Sequence, residues 1–311
     1  MTAICIYGSV ARKDQDDLSD KDALILFDGS DRCRELKRKW TDGGWSVASY
    51  TPKRLKKMAN AGSLFIQHLK QEGLILEDTT GILNDILSVY EPRPDYSADI
   101  IESLSALQLL ERLPSSHELD YWSADVLHVL LRNLGILRLA NEGLYEFSFH
   151  SIAQQLSNLQ LIALEDIEVF EGLRAAKSAY RSGRLPISPA KNIVEDGLVV
   201  LEKIFGISLE RSHTLDFIIP DHAQPYFNLR AMEKILVAYN GLPRSHRSAL
   251  SPSEKIIWSR VMDPRAYSWV VKTKQVDLWH LLLDSISSYT KTDLFEKSGR
   301  TVATHQRGYL C

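Results

Sequence analysis

A chain of 311 residues, 44% hydrophobic and 25% charged, has the length for two or three domains and the composition of an ordinary globular protein, which excludes a disordered or low-complexity polypeptide. A formal net charge of −3 removes any global attraction to nucleic acid or to an anionic membrane. Cys5, Cys33 and Cys311 are too few and too scattered for a disulfide framework or a zinc site.

No apolar run reaches the roughly 18 residues of a membrane span, and no basic-then-apolar leader opens the chain, so a cytoplasmic, membrane-free protein is expected. AICIY (3–7) reads as a buried strand that stops at Gly8-Ser9. DALILF (22–27) is a second strand, and DRCRELKRKW (31–40) a helix for which Asp31 is a suitable N-cap. Gly43-Gly44 turns into a third strand, WSVASY (45–50). Thr51-Pro52 starts the helix KRLKKMANA, because proline suits the first helical turn. A further helix covers 63–73, and LILED (74–78) is a short strand.

YEPRPDY (90–96), with two prolines, reads as a linker. Beyond it, apolar residues recur at helical spacing over 98–113, 119–143, 149–159, 166–181 and 191–205, which predicts an antiparallel bundle. HTLDFIIPD (213–221) suggests one strand, and 228–241, 251–263 and 276–290 three more helices. The expected architecture is α+β: an α/β domain over 1–94, a helical bundle over 95–207 and a mostly helical region over 208–311.

The chemistry concentrates at the first strand end. A Gly-Ser between a strand and a helical turn allows close backbone approach, offers a hydroxyl donor and points free N–H groups at an anion. Asp20 and Asp22, read as alternating along one strand, would share a face with Cα atoms about 6.6 Å apart. Two carboxylates so placed can share Mg²⁺ ions that neutralise a triphosphate. Arg12, in the turn after Ser9, would add positive charge near the phosphates.

Gly8-Ser9, a ten-residue gap, then Asp20-Lys21-Asp22 followed by ALILF resembles the signature of the polymerase-β-type nucleotidyltransferases, most closely their minimal and aminoglycoside-modifying members. GSLFIQHLKQEGLIL (62–76) is similar to the helix-then-strand that closes this catalytic domain, and the resemblance covers about the first 90 residues. It implies a nucleotidyltransferase that binds ATP or another nucleoside triphosphate with two Mg²⁺ and transfers a nucleoside monophosphate to a hydroxyl. Asp20 and Asp22 would be the catalytic, metal-holding pair, with Gly8, Ser9, Arg12 and Lys70 on the nucleotide. The acceptor stays open between a small molecule, a partner protein and an RNA end.

The pattern breaks at the third carboxylate, which the family takes from the next strand as metal ligand and general base. Here the corresponding positions are Ser46 and Ala48; Asp42 precedes the Gly-Gly turn, and Asp28 stands about 20 Å along the strand from Asp22. A catalytically impaired nucleotide-binding or regulatory module, such as an antitoxin-like half of a two-protein system, is therefore the alternative reading.

Other features weigh less. The basic runs of 31–40 and 53–57 read as solvated helix faces, since residues 1–94 carry 14 basic and 14 acidic side chains. His68 shares the helix of Lys70 with no role assigned. Arg132 and Asn133 stand amid apolar residues, where Arg132 could face the cleft or close an internal salt bridge. Tyr121, Trp122 and Tyr145 could stack on a ring or simply pack. Arg300 and His305 have an Arg-x4-His spacing known from helical RNases, read here as a chance match in a terminal tail.

Overall fold

A computed structural model describes residues 3–27, 31–188, 190–213 and 225–240. Four five-residue strands, β1 (Ala3–Tyr7), β2 (Asp22–Leu26), β3 (Ser46–Tyr50) and β4 (Leu74–Asp78), form one mixed sheet in the order β3-β2-β1-β4. β1 runs antiparallel to both β2 and β4, whereas β2 and β3 are parallel. The two inner strands are buried almost throughout, which is why AICIY and ALIL are continuous apolar runs rather than alternating ones. The edge strands β3 and β4 are partly exposed and correspondingly more polar.

Helix α1 (Ser9–Arg12) is a single turn after β1, and α2 (Asp31–Asp42) crosses from β2 to β3. Helices α3 (Pro52–Asn60), α4 (Leu64–Glu72) and α5 (Ile82–Ser88) cover one sheet face. Leu55, Ile66, Leu69, Leu83 and Ile86 from these helices pack on Ala3, Cys5, Tyr7, Leu24 and Leu26. The Thr51 hydroxyl caps α3 by accepting from the Arg54 N–H at 3.2 Å, with Pro52 as the first helical residue, as its sequence predicts.

Helix α6 (Ser97–Ser105) and α7 (Gln108–Glu111) replace the one helix expected over 98–113. At the break, the Ser105 hydroxyl bonds back to the Glu102 carbonyl at 2.6 Å, a competitor to the helical backbone bond. Helices α8 (His117–Asn141), α9 (Phe149–Asn158), α10 (Ile167–Ser182), α11 (Lys191–Phe205) and α12 (Pro225–Asn240) follow, with a 3₁₀ turn at Leu164–Asp166. An α+β chain with an N-terminal sheet and a helical remainder is thus observed. The strand expected over 213–221, the helices over 251–263 and 276–290, and Arg300 and His305 lie outside the described residues, apart from His213 itself. Among the described residues no helix is long and apolar enough to cross a membrane.

The chain divides into two compact units, residues 1–106 with 123–208, and residues 107–122 with 209–311. The first joins the sheet to helices α9–α11 and most of α8. The proline-containing segment expected as a linker is fastened inside it. Tyr90 donates its hydroxyl to the Ser63 carbonyl at 2.9 Å, and Tyr96 donates to Gly62 at 2.8 Å while its own N–H reaches Asn141 Oδ1 at 2.7 Å. In the second unit, residue 112 bridges to residue 212, and the Arg230 guanidinium lies 5.5 Å from the centre of the Trp122 ring. Trp122 is fully buried and Tyr121 nearly so, which assigns both to packing.

Candidate functional site

The antiparallel register sets Tyr7 opposite Asp22, so Gly8 and Ser9 turn away where β2 begins. Gly8 has φ +70° and ψ −151°, a conformation that L residues avoid. A Cβ on Gly8 would stand 3.2 Å from Asp22 Oδ2, so the glycine admits the carboxylate against the turn. The Ser9 hydroxyl donates to the Asp20 carbonyl at 3.3 Å. Gly8, Ser9, Asp20 and Asp22 are thus brought together, although not as strand geometry predicts. β2 starts at Asp22, and Asp20 lies in the preceding loop.

Asp22 is half-buried, and burial followed by the neighbouring charge of Asp20 raises its pKa. Arg132, His68 and a hydrogen bond with Ser46 act in the opposite direction. Ser46 pairs with Asp22 and Ala48 with Leu24 in the parallel register, so the position expected for a third acid holds a hydroxyl that bonds the carboxylate. Among the described residues, no group of three or more acidic, histidine or cysteine side chains could hold a metal ion.

Arg12 is at the site, but its guanidinium is engaged. It bonds Asp14 at 2.9 Å and makes a short contact with Glu72. The same Glu72 oxygen accepts from His68 Nε2 at 2.9 Å. Helix spacing accounts for this second contact, since His68 and Glu72 are one turn apart on α4. The His68 ring stacks on Phe147, 4.3 Å between centres, and meets Tyr7 edge-on at 5.2 Å. Lys70, expected on a phosphate, is used elsewhere: its ammonium donates to the Tyr90 carbonyl at 2.8 Å.

Helices α8 and α10 bring cations to this carboxylate group. Arg132 donates to the Phe147 carbonyl at 3.1 Å, and its charge is felt by Asp22, Glu72 and Tyr7. Burial lowers its pKa, with those groups opposing. Sequence spacing leaves open whether Arg132 faces the cleft or pairs internally; its electrostatic neighbours are the site residues. Lys177 on α10 is a cation that sequence reasoning missed. Burial lowers its pKa too, with Asp125 and Asp20 as its anionic neighbours, and it makes no hydrogen bond or ion pair among the described residues. The signal is present as the spacing Arg174, Lys177, Arg181 along one helix face. Its other two members are paired, Arg181 with buried Asp125 at 2.6 Å and Arg174 with Asp16 through two bonds of 2.7 and 2.6 Å.

The arrangement offers two adjacent carboxylates beside a glycine turn, a positioned imidazole, and two cations, Arg132 and Lys177, without carboxylate bonds among the described residues. Comparison of the chain with protein-family models, with curated proteins and with solved structures finds no match in any of the three.

Proposed function

We propose that this chain is a nucleotidyltransferase that binds a magnesium–nucleoside triphosphate, ATP by preference, at the Gly8–Asp22 corner and passes the nucleoside monophosphate to a hydroxyl. The observation that carries the reading is the close approach of Asp22 to the side-chain-less Gly8, with Asp20 beside it. Two neighbouring carboxylates, one of them half-buried, repel each other, and a divalent ion relieves that repulsion.

The donor set suits one Mg²⁺ better than two. Magnesium is commonly held by one or two carboxylates and completes its octahedron with water and phosphate oxygens. Asp20 and Asp22 meet that need, and Ser46, in place of the third acid, does not bridge a second ion. Held by Asp20 and Asp22, such an ion would supply neutralisation of phosphate charge. Arg132 lies in the field of Asp22 and Lys177 in that of Asp125 and Asp20, and both have the charge to hold phosphate oxygens. Gly8 leaves room for the Asp22 carboxylate beside the turn, and Ser9 braces the Asp20 loop.

A second reading, a nucleotide-binding module without turnover, is favoured by Ser46, because a hydroxyl replaces the expected acid. The two separate in one experiment. Calorimetry of ATP with and without Mg²⁺ is followed by an assay for pyrophosphate release with small hydroxyl compounds, RNA ends and candidate partner proteins as acceptors. Magnesium-dependent binding with release supports the transferase, and binding without release supports the module. Absence of binding removes both.

A further inference from the structure

We infer that His68, oriented by Glu72, takes the proton from the attacking hydroxyl, the task left open by Ser46; the inference rests on the transferase reading above. The register places Asp22, Ser46 and Tyr7 side by side at one end of the sheet face that α4 covers. His68 is on α4, its ring edge-on to Tyr7, which stands opposite Asp22 in the sheet. It is 7% exposed, clamped between Phe147 and Tyr7.

Glu72 fixes which nitrogen is which. A carboxylate oxygen already receiving the Arg12 guanidinium can only accept, so His68 Nε2 donates to it. In the neutral ring Nδ1 then carries the lone pair. That atom has no hydrogen-bond partner among the described residues. An imidazole held by a carboxylate through one nitrogen, with the other free, is the arrangement that general-base catalysis requires.

The step balances without a further reactant. The acceptor O–H bond breaks and its proton goes to Nδ1, while the acceptor oxygen bonds the α-phosphorus. The bond from that phosphorus to the oxygen bridging to the β-phosphorus breaks, and its electron pair leaves with pyrophosphate. Glu72 stays ionised and positions the ring; Arg12 in turn positions Glu72. With water as acceptor the products are the nucleoside monophosphate and pyrophosphate.

The test uses the full chain with Mg–ATP, reading pyrophosphate release with water as acceptor. His68→Gln, which keeps an N–H donor for Glu72, is expected to retain ATP affinity and to lose about 10²–10⁴-fold in rate. In His68→Ala the rate is restored in part by added imidazole, an effect that loss of a structural contact would not give. Independently of turnover, nitrogen-15 spectra of the ligand-free chain should show His68 protonated at Nε2 and not at Nδ1, with that preference weakened in Glu72→Gln. A wild-type rate in His68→Gln, or Nδ1 protonation in the neutral ring, would overturn the inference and leave the transferase reading standing, whereas Mg–ATP binding with no release overturns both in favour of the module. Failure of the wild type to bind Mg–ATP overturns both.

Discussion

Gly8 and Asp22 depend on each other: a Cβ at Gly8 would lie 3.2 Å from the Asp22 carboxylate, on a backbone with φ +70° and ψ −151°. Gly8→Ala therefore meets two obstacles, a backbone conformation that alanine avoids and a displaced carboxylate. The expected cost is about 1–3 kcal/mol of stability, seen as a lower denaturation midpoint. Mg–ATP affinity should fall with it. A variant as stable as the wild type with unchanged affinity would mean that the turn does not set the position of Asp22.

Asp22 carries the opposite balance. Burial and Asp20 raise its pKa in the folded chain, so the ionised form is less stable there than in the unfolded chain. The penalty is present above the folded pKa and disappears as pH falls below the unfolded value. Asp22→Asn should accordingly melt no lower than the wild type at neutral pH, with any gain vanishing in acid. Magnesium should raise the melting temperature of the wild type and leave that of Asp22→Asn unchanged. A large loss of stability in Asp22→Asn at neutral pH would show instead that its bonds to Ser46 and its attraction to Arg132 outweigh its desolvation.

Most of the frame was legible because short-range signals and long-range packing agree. The apolar run 3–7, the Thr51-Pro52 cap and the apolar spacing of 191–205 each found the element they predict. Gly8, Ser9, Asp20 and Asp22 were legible as a group, since a turn and a strand pairing bring them together. Lys177 was not, because the spacing Arg174, Lys177, Arg181 marks a basic helix face but carries nothing of its relation to Asp20, more than 150 residues away in the chain. Lys70, expected on a phosphate, was misplaced for the same reason: the Tyr90 carbonyl, twenty residues on, takes its ammonium. The segment 90–96 has a linker's composition, and its two tyrosines nevertheless bind it to the turn at 62–63.

A long-range ion pair helps to tie down the acidic loop after α1. Arg174 grips both oxygens of Asp16, which holds that carboxyl well below the usual carboxylate range. The pair is largely exposed, so Arg174→Ala should cost only about 0.2–1 kcal/mol, less in high salt. A depressed carboxyl contributes above its unfolded pKa and loses that contribution as pH falls through the folded one. The difference between variant and wild type should therefore close in acid. If thermal melts show a larger cost that survives both acid and salt, packing of the arginine stem outweighs its charge.

Lys177 presents the cationic counterpart of Asp22. Burial lowers its pKa, so the protonated ammonium is less stable folded than unfolded, and the penalty holds at every pH below the folded pKa. It fades as pH rises from the folded pKa to the unfolded value and is gone above that. Lys177→Met keeps the length of the stem and removes the charge, so it should melt at or above the wild-type temperature at neutral pH. If that charge is kept for phosphate, the same variant should bind Mg–ATP about tenfold or more weakly, since a hydrogen bond to a charged group contributes about 1.5–3 kcal/mol. Adenosine, which has no phosphate, should bind variant and wild type alike. Melting curves and two calorimetric titrations decide it: a variant that is destabilised, with ATP affinity intact, would assign Lys177 to Asp125 and the helical core instead of to the site.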